Sequence, residues 1–416
     1  MTTPLTLTTR TIRATFNNVK SSVQHPDGRW ELEPNSPAGI SVVNYSTTDG
    51  NCGATVNSPG QRAPDVQAVQ VPPGRILMPG DVMLVASTLP GSAQCDDMTS
   101  FHIVPWTPDS QYFTGPALGS ITAPYVGWSR AVVHFKRSDI PMNFFPSVVD
   151  IDSLPVNWAG WGQEKPTIPW LLSEMVAAYD IGDEWGLTGS PSNLYRPYGR
   201  DFASRVSIAL VMLCSTLPVE QKRPLAERLC QMGIDLAGAY LDGRVQTNNG
   251  GHFQGRKALI VLALSLLNIH PHDWPIILKG RMQEDSAYAD VGSIPWAPGW
   301  KYGWRGHEYL PHEWGKPLSE WSRGAYGPVW YVNNYMQANA GPQVGTALAM
   351  RLLKLTPYMS TAMDGFVSQW MEGPTSVGAR ALAAIGANAG WGEDYSQGGA
   401  AGFCAAAWRK YSTHVV

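Results

Sequence analysis

The chain has 416 residues and a formal net charge of −3, which allows two or three domains with full cores. That charge gives no electrostatic reason to expect nucleic acid or an anionic membrane as partner. Charged residues are only 15% of the chain, against roughly 25% in an average soluble protein, and 42 glycines with 33 prolines point to many ordered loops.

From the N-terminus to about residue 140 the pattern is strand-like. The runs "GISVVNYSTT", "AVQVPPGRILMPGDVMLVAST", "FHIVPW" and "RAVVHFKRS" are short, β-branched or aromatic, and cut by Pro-Gly and Gly-Asp turns. They predict a β-rich, sandwich-like domain over residues 1–140. The opening "MTTPLTLTTRTIRA" lacks the apolar core of a signal peptide. Cys52 and Cys95 fall in this part and could form a disulfide, whereas Cys214, Cys230 and Cys404 have apolar, helical surroundings and read as buried thiols. Residues 141–166, with Pro141, Pro146, Pro155, Pro166 and "NWAGWG", read as an ordered connector.

From "PTIPWLLSEMVAAYDIG" onward the period turns helical. Three segments share one form: "SIALVMLCSTLP" (207–218), "ALIVLALSLLNIHP" (258–271) and "TALAMRLLKLTP" (346–357). Each is an apolar helix end followed closely by a proline. Between them lie amphipathic stretches such as "VEQKRPLAERLCQMGIDLAGAYL". Alternating buried and half-exposed helices describe an array of helical hairpins. The expected fold class is therefore β then α: the β-rich domain, then an incomplete α/α toroid over residues 167–416. Residues 258–268 should be fully buried. No stretch reaches ~18 uninterrupted apolar residues, so no membrane span is expected.

The segment "QTNNGGHFQGRKALIVLALSLLN" (246–268) carries the first chemistry. Asn248, Asn249 and His252 immediately precede the most apolar helix, whose N-terminus offers unpaired N–H groups and partial positive charge. An amide that meets a substrate carboxylate, beside an imidazole of near-neutral pKa, suits removal of a proton α to that carboxylate. Asn-Asn-Gly-Gly is equally good turn chemistry. The second rich segment, residues 293–335, holds Trp296, Trp300, Trp304, Arg305, His307, Tyr309, Arg323 and Tyr326. Aromatic rings stack on pyranose faces and arginine pairs bidentately with carboxylates.

An amide-rich loop with a nearby histidine, followed by arginines and tyrosines on a toroid, resembles the alginate-lyase and chondroitin-lyase type of polysaccharide lyase. The resemblance spans about residues 240–335 in order and residue type, with two glycines separating the amides from His252. It implies β-elimination on a uronate-containing glycan. Asn249 would neutralise the carboxylate, and His252 would be the base or its orienter. Arg305 or Arg323 would clamp the carboxylate, and Tyr309 or Tyr326 would be the acid. Asn248, His307, Trp296, Trp300 and Trp304 would bind substrate. No cofactor or metal is implied. The partner is a polysaccharide or oligosaccharide, with neither nucleic acid nor membrane, and that substrate favours an extracellular, periplasmic or virion setting.

Two other readings remain open. A glycoside hydrolase on the same fold needs opposed carboxylates, for which Asp183, Glu184, Glu308, Glu313, Glu393 and Asp394 are candidates. A non-catalytic carbohydrate-binding or phage structural component fits the β-rich N-terminal part. A metal site from His307, Glu308, His312 and Glu313 is disfavoured, because Pro311 interrupts the helix that such ligands need.

Overall fold

A computed structural model describes residues 3–9, 11–26, 28–48, 51–56, 71–88, 95–105, 107–113, 135–154, 166–174, 199–241, 254–269, 282–290, 301–304, 337–372 and 400–414. The N-terminal part is β-rich and the remainder mainly helical. Nine strands precede the helices: β1 (Leu5–Thr8), β2 (Ile12–Asn17), β3 (Val19–Gln24), β4 (Trp30–Pro34), β5 (Ile40–Thr47), β6 (Asn51–Val56), β7 (Ile76–Leu77), β8 (Val82–Thr88) and β9 (Cys95–Ile103). They form a four-stranded sheet in the order β1-β2-β5-β7 and a five-stranded sheet in the order β3-β4-β9-β8-β6. Every pairing is antiparallel except β4 with β9.

Alternation builds the space between the sheets. Ile12, Ala14 and Phe16 of β2 are buried, while Arg13 between them is exposed. Leu32, Met83, Val85, Phe101 and Ile103 of the second sheet join the same apolar cluster, and the Phe16 and Phe101 rings lie 5.0 Å apart. A single residue carries the chain from one sheet to the other. Asn18, between β2 and β3, takes the left-handed conformation (φ 65°), and its amide donates to Ser36 Oγ at 2.9 Å.

Strand order also settles the expected disulfide. Cys52 on β6 pairs with Ser87 and Cys95 on β9 pairs with Thr88, so β8 runs between them. Two strand spacings amount to about 9.5 Å, beyond the ~7 Å reach of a disulfide. The thiols Cys214, Cys230 and Cys404 are buried as expected. Burial pushes Cys214 up to about 12 and the other two higher still, so all three are protonated.

The expected strand over "RAVVHFKRS" lies partly outside the described residues. Its described end is a bridge between Tyr112 and Lys136 and a 3-10 turn at Arg137–Asp139. Described connector residues add 3-10 turns at Met142–Phe144 and Ile151–Ser153.

The helices are α1 (Ile168–Glu174), α2 (Gly199–Leu213), α3 (Val219–Leu241), α4 (Arg256–Leu266), α5 (Gln283–Ser286), α6 (Gln337–Ala340), α7 (Val344–Leu352), α8 (Thr361–Glu372) and α9 (Ala400–Tyr411). A short antiparallel pair, β10 (Tyr288–Asp290) with β11 (Tyr302–Trp304), interrupts them and was not foreseen. The three apolar segments do form the centre: α2, α4 and α7 are buried on nearly all sides. Burial of 258–268 is not complete, since Ser265 is half-buried and Asn268 exposed. Both departures have a cause. Ser265 Oγ donates back to Val261 O at 2.8 Å, and Asn268 is already past the helix end. The amphipathic expectation for α3 holds in its first half, where Glu220, Gln221 and Pro224 are exposed, but residues 229–237 are buried all round. No helix among the described residues is long and apolar enough to cross a membrane.

The shared "helix end, then proline" form has a physical basis in two of its three instances. Ile269 N donates to Leu264 O and Leu355 N to Met350 O, with Asn268 (φ 52°) and Lys354 (φ 60°) left-handed between. These are Schellman ends. The α2 end differs: its Cys214 carbonyl accepts from Val148 N and Val149 N of the connector, both at 3.0 Å. A lysine in the left-handed region carries strain that glycine lacks. Lys354→Gly is therefore expected to stabilise the protein by about 0.5–1 kcal/mol. Chemical denaturation reads this directly, and an unchanged or lower stability would contradict the strain.

Candidate functional site

Several buried polar groups of the helical region meet at the N-terminal mouth of α4. The chain enters this helix through Gly255, whose φ of +84° suits glycine. A Cβ there would stand 2.7 Å from Ala203 Cα on α2, so the approach of the two backbones also demands glycine. Glycine cannot cap the helix with a side chain. The cap comes from another segment: Gly255 N–H donates to Glu284 Oε1 of α5 at 2.6 Å. Next to it, Lys257 pairs with Asp285. The sequence "QEDS" of α5 thus grips the first residues of α4 through two acidic side chains, Glu284 by a hydrogen bond and Asp285 by an ion pair.

A second layer ties in α6 and β10. Gln254 Nε2 donates to Asn339 Oδ1, and the Tyr288 hydroxyl donates to the Asn339 backbone carbonyl at 2.8 Å. Tyr288 in turn packs its ring on Phe366 of α8, with centroids 5.5 Å apart. Gln254, Arg256, Gln283, Glu284, Asn339 and Gln343 are all buried. Arg256 lies over the Phe202 ring of α2 at 5.6 Å.

Burial sets the protonation of this cluster. It raises the Glu284 carboxyl, with the Asp285 charge adding to it, and the N–H of Gly255 and the Lys257 ammonium oppose the shift. Burial also pushes the Tyr288 phenol well above its ordinary value, helped by Glu284. The mouth therefore holds a phenol that stays protonated at neutral pH and a carboxyl that resists ionisation. Among the described residues no group of three or more His, Cys, Asp and Glu could hold a metal ion.

The expected site residues mostly escape description. Asn248, Asn249, His252, Trp296, Trp300, Arg305, His307, Tyr309, Arg323 and Tyr326 lie outside the described residues, as do Asp183, Glu184, Glu308, Glu313, Glu393 and Asp394. Trp304 is placed by its backbone, opposite Tyr288 in the β10–β11 pair. Contacts therefore run from Gln254, two residues after His252 in the chain, through Asn339 and Tyr288 to Trp304, one residue before Arg305. The described parts of the two segments, residues 254–268 and 301–304, thus meet one cluster.

Sequence reasoning missed Glu284, Tyr288, Gln254 and Asn339. A Glu-Asp pair with no aromatic neighbours reads by default as solvated surface. The available signal was the placement of "QEDSAYAD" between apolar Met282 and the aromatic-rich segment.

No family model, curated protein or solved structure matches this chain.

Proposed function

We propose that the chain is a polysaccharide lyase that cleaves a uronate-containing glycan by β-elimination. In this reading the helical region is an incomplete α/α toroid and the β-rich region a sandwich packed beside it. One observation carries the proposal. A cluster of buried polar residues stands at the mouth of α4, where Gln254, two residues after His252 in the chain, and Trp304, one residue before Arg305, both meet the Tyr288 and Asn339 anchor.

The chemistry follows from what a uronate requires. Its C5 proton is removable only if the adjacent carboxylate is neutralised, so that the developing enediolate is stabilised. Asn249, with Arg305 or Arg323, supplies that neutralisation. His252, or a tyrosine it orients, takes the C5 proton as the C4–O bond breaks. Tyr309 or Tyr326 returns a proton to the leaving oxygen, and a C4–C5 double bond remains in the new non-reducing end. Asn248, His307, Trp296, Trp300 and Trp304 hold the sugar rings. Glu284 and Tyr288 serve this machinery from behind, by fixing the helix mouth.

The test is ultraviolet absorbance of the conjugated unsaturated product on incubation with alginate, chondroitin and other uronate polymers. Absorbance should rise with the wild type. In Asn249→Ala the turnover should fall at least ~100-fold, the usual scale for a polar group acting in the transition state, with KM little changed. Reducing ends released without unsaturated product would replace the proposal by hydrolysis. Neither product across a broad glycan panel would leave a binding or structural role.

A further inference from the structure

We propose that the turn joining β3 to β4 is a latch, seated on α3 by a buried ion pair, from which the β-rich region can release as a unit.

The latch stands on charge that has no other reason to be buried. The Arg29 guanidinium forms two bonds with the Asp235 carboxylate, Nη1 to Oδ1 at 3.0 Å and Nη2 to Oδ2 at 2.7 Å, and both side chains are 0% exposed. These residues stand 206 positions apart, one in the β-rich region and the other on α3. The turn is pre-shaped to present the arginine. His25 N donates to Arg29 O and Gly28 N to His25 O, both at 2.9 Å, Gly28 takes φ 90°, and Thr99 Oγ1 of β9 holds the Gly28 carbonyl at 3.0 Å.

The face of α3 that receives it is a polar stripe. Arg228, Gln231 and Asp235 recur at spacings of three and four, which puts them on one side of a helix. Arg228 donates to Pro26 O at 3.4 Å, in the same turn. Gln231 donates to Asp235 and accepts from Arg137, in the 3-10 turn before the connector, at 3.3 Å. This explains why the second half of α3 is buried although it carries Gln231 and Asp235.

The two apolar cores do not merge across this contact. The cluster built by the strands ends at Ile103, and the cluster of the helical region begins at Phe113. A contact made by polar groups between two closed cores can open without exposing either of them, and such interfaces are where domain motion is expected. A buried ion pair sets geometry more than it adds stability, because desolvation offsets most of its attraction. It is therefore suited to a device with two positions, seated or released. Asp235 lies six residues before the end of α3, about 9 Å along the axis, and Gly233 on the same helix packs against Leu259 of α4. Release would uncover a face of α3 close to the candidate site. None of this depends on the glycan reading.

The experiment uses the full chain. A compact protein of 416 residues has a radius of gyration of about 22 Å, and the wild type should show that radius by small-angle scattering and a single thermal transition. Arg29→Ala leaves Asp235 buried without its guanidinium. It should enlarge the radius and split unfolding into two transitions. The double variant Arg29→Met with Asp235→Leu replaces the pair by apolar groups of similar size and should restore one transition and the compact radius. If Arg29→Ala does not accumulate, Arg29→Lys, which keeps the charge and loses the fork, is read by the same two measurements. A single lowered transition with unchanged radius in the Arg29 variants would overturn the latch, and so would two transitions in the wild type.

Discussion

Gly233→Ala is expected to lower the thermal midpoint of the helical region by about 6–12 °C, although alanine is the better helix former. The reason is where α3 meets α4. A Cβ added at Gly233 would stand 2.1 Å from the Leu259 carbonyl oxygen and 2.6 Å from Ala263 Cβ. Neither obstacle is the movable end of a flexible side chain. The helices must move apart, and Leu259, Ile260 and Ala263, all fully buried, would lose their packing together. Overpacking of this severity, against backbone rather than a flexible side chain, costs about 4 kcal/mol, beyond the usual 1–3, and the helical propensity of alanine over glycine returns only about 1 kcal/mol in an exposed helix. A net loss of roughly 3 kcal/mol at about 2–4 °C per kcal/mol gives the stated fall. Scanning calorimetry on the full chain reads it. A midpoint within a degree or two of the wild type would mean that α3 and α4 do not approach so closely.

That contact also marks the boundary of what a sequence reading can reach. The burial of α2, α4 and α7 was legible because "ALIVLALSLL" and its counterparts have no polar face, and a helix without one must be covered all round. The β-rich start was legible from its alternation, which β2 follows residue by residue. Local signals of this kind report burial and period. They do not report partners. Gly233 is one glycine among 42, and only the position of Leu259 shows why it must be glycine. Asp235 looks like a solvated face of an amphipathic helix until Arg29, 206 residues away, is placed against it. The expected Cys52–Cys95 bridge failed for the same reason, because closeness along the chain says nothing of the strand that lies between.

The candidate site divides likewise. The amide-rich segment was legible as the approach to the most apolar helix, because the two adjoin in the chain. The residues that build the mouth were not, because Glu284 has the sequence character of a surface acid and becomes a cap only through Gly255 N–H.

Glu284 provides the sharpest test of that mouth. Its carboxyl is buried and its pKa lies above the ordinary carboxylate value of 4.5. The unfolded chain therefore releases this proton at lower pH than the folded protein does. Below about pH 4.5 both states hold the proton and the group's contribution is fully present. As pH rises from there through the raised folded pKa, the unfolded state gains, and stability drops with a slope approaching 1.4 kcal/mol per pH unit. Above the folded pKa both states are ionised and the loss levels off. Glu284→Gln removes this dependence: the amide oxygen can still accept from Gly255 N–H, and nothing titrates. The variant should match the wild type at acid pH and exceed it in stability at neutral pH. Glu284→Ala should instead lie roughly 3 kcal/mol below Glu284→Gln at every pH, through the cavity and the orphaned Gly255 N–H, so that its deficit against the wild type narrows as pH rises. Urea denaturation from pH 4 to pH 8 separates the three proteins. If Glu284→Gln were destabilised as much as Glu284→Ala at neutral pH, the carboxylate would be ionised in the folded protein and held by a cation. Lys257 would then hold Glu284 as well as Asp285, and its charge rather than burial would govern the Glu284 carboxyl.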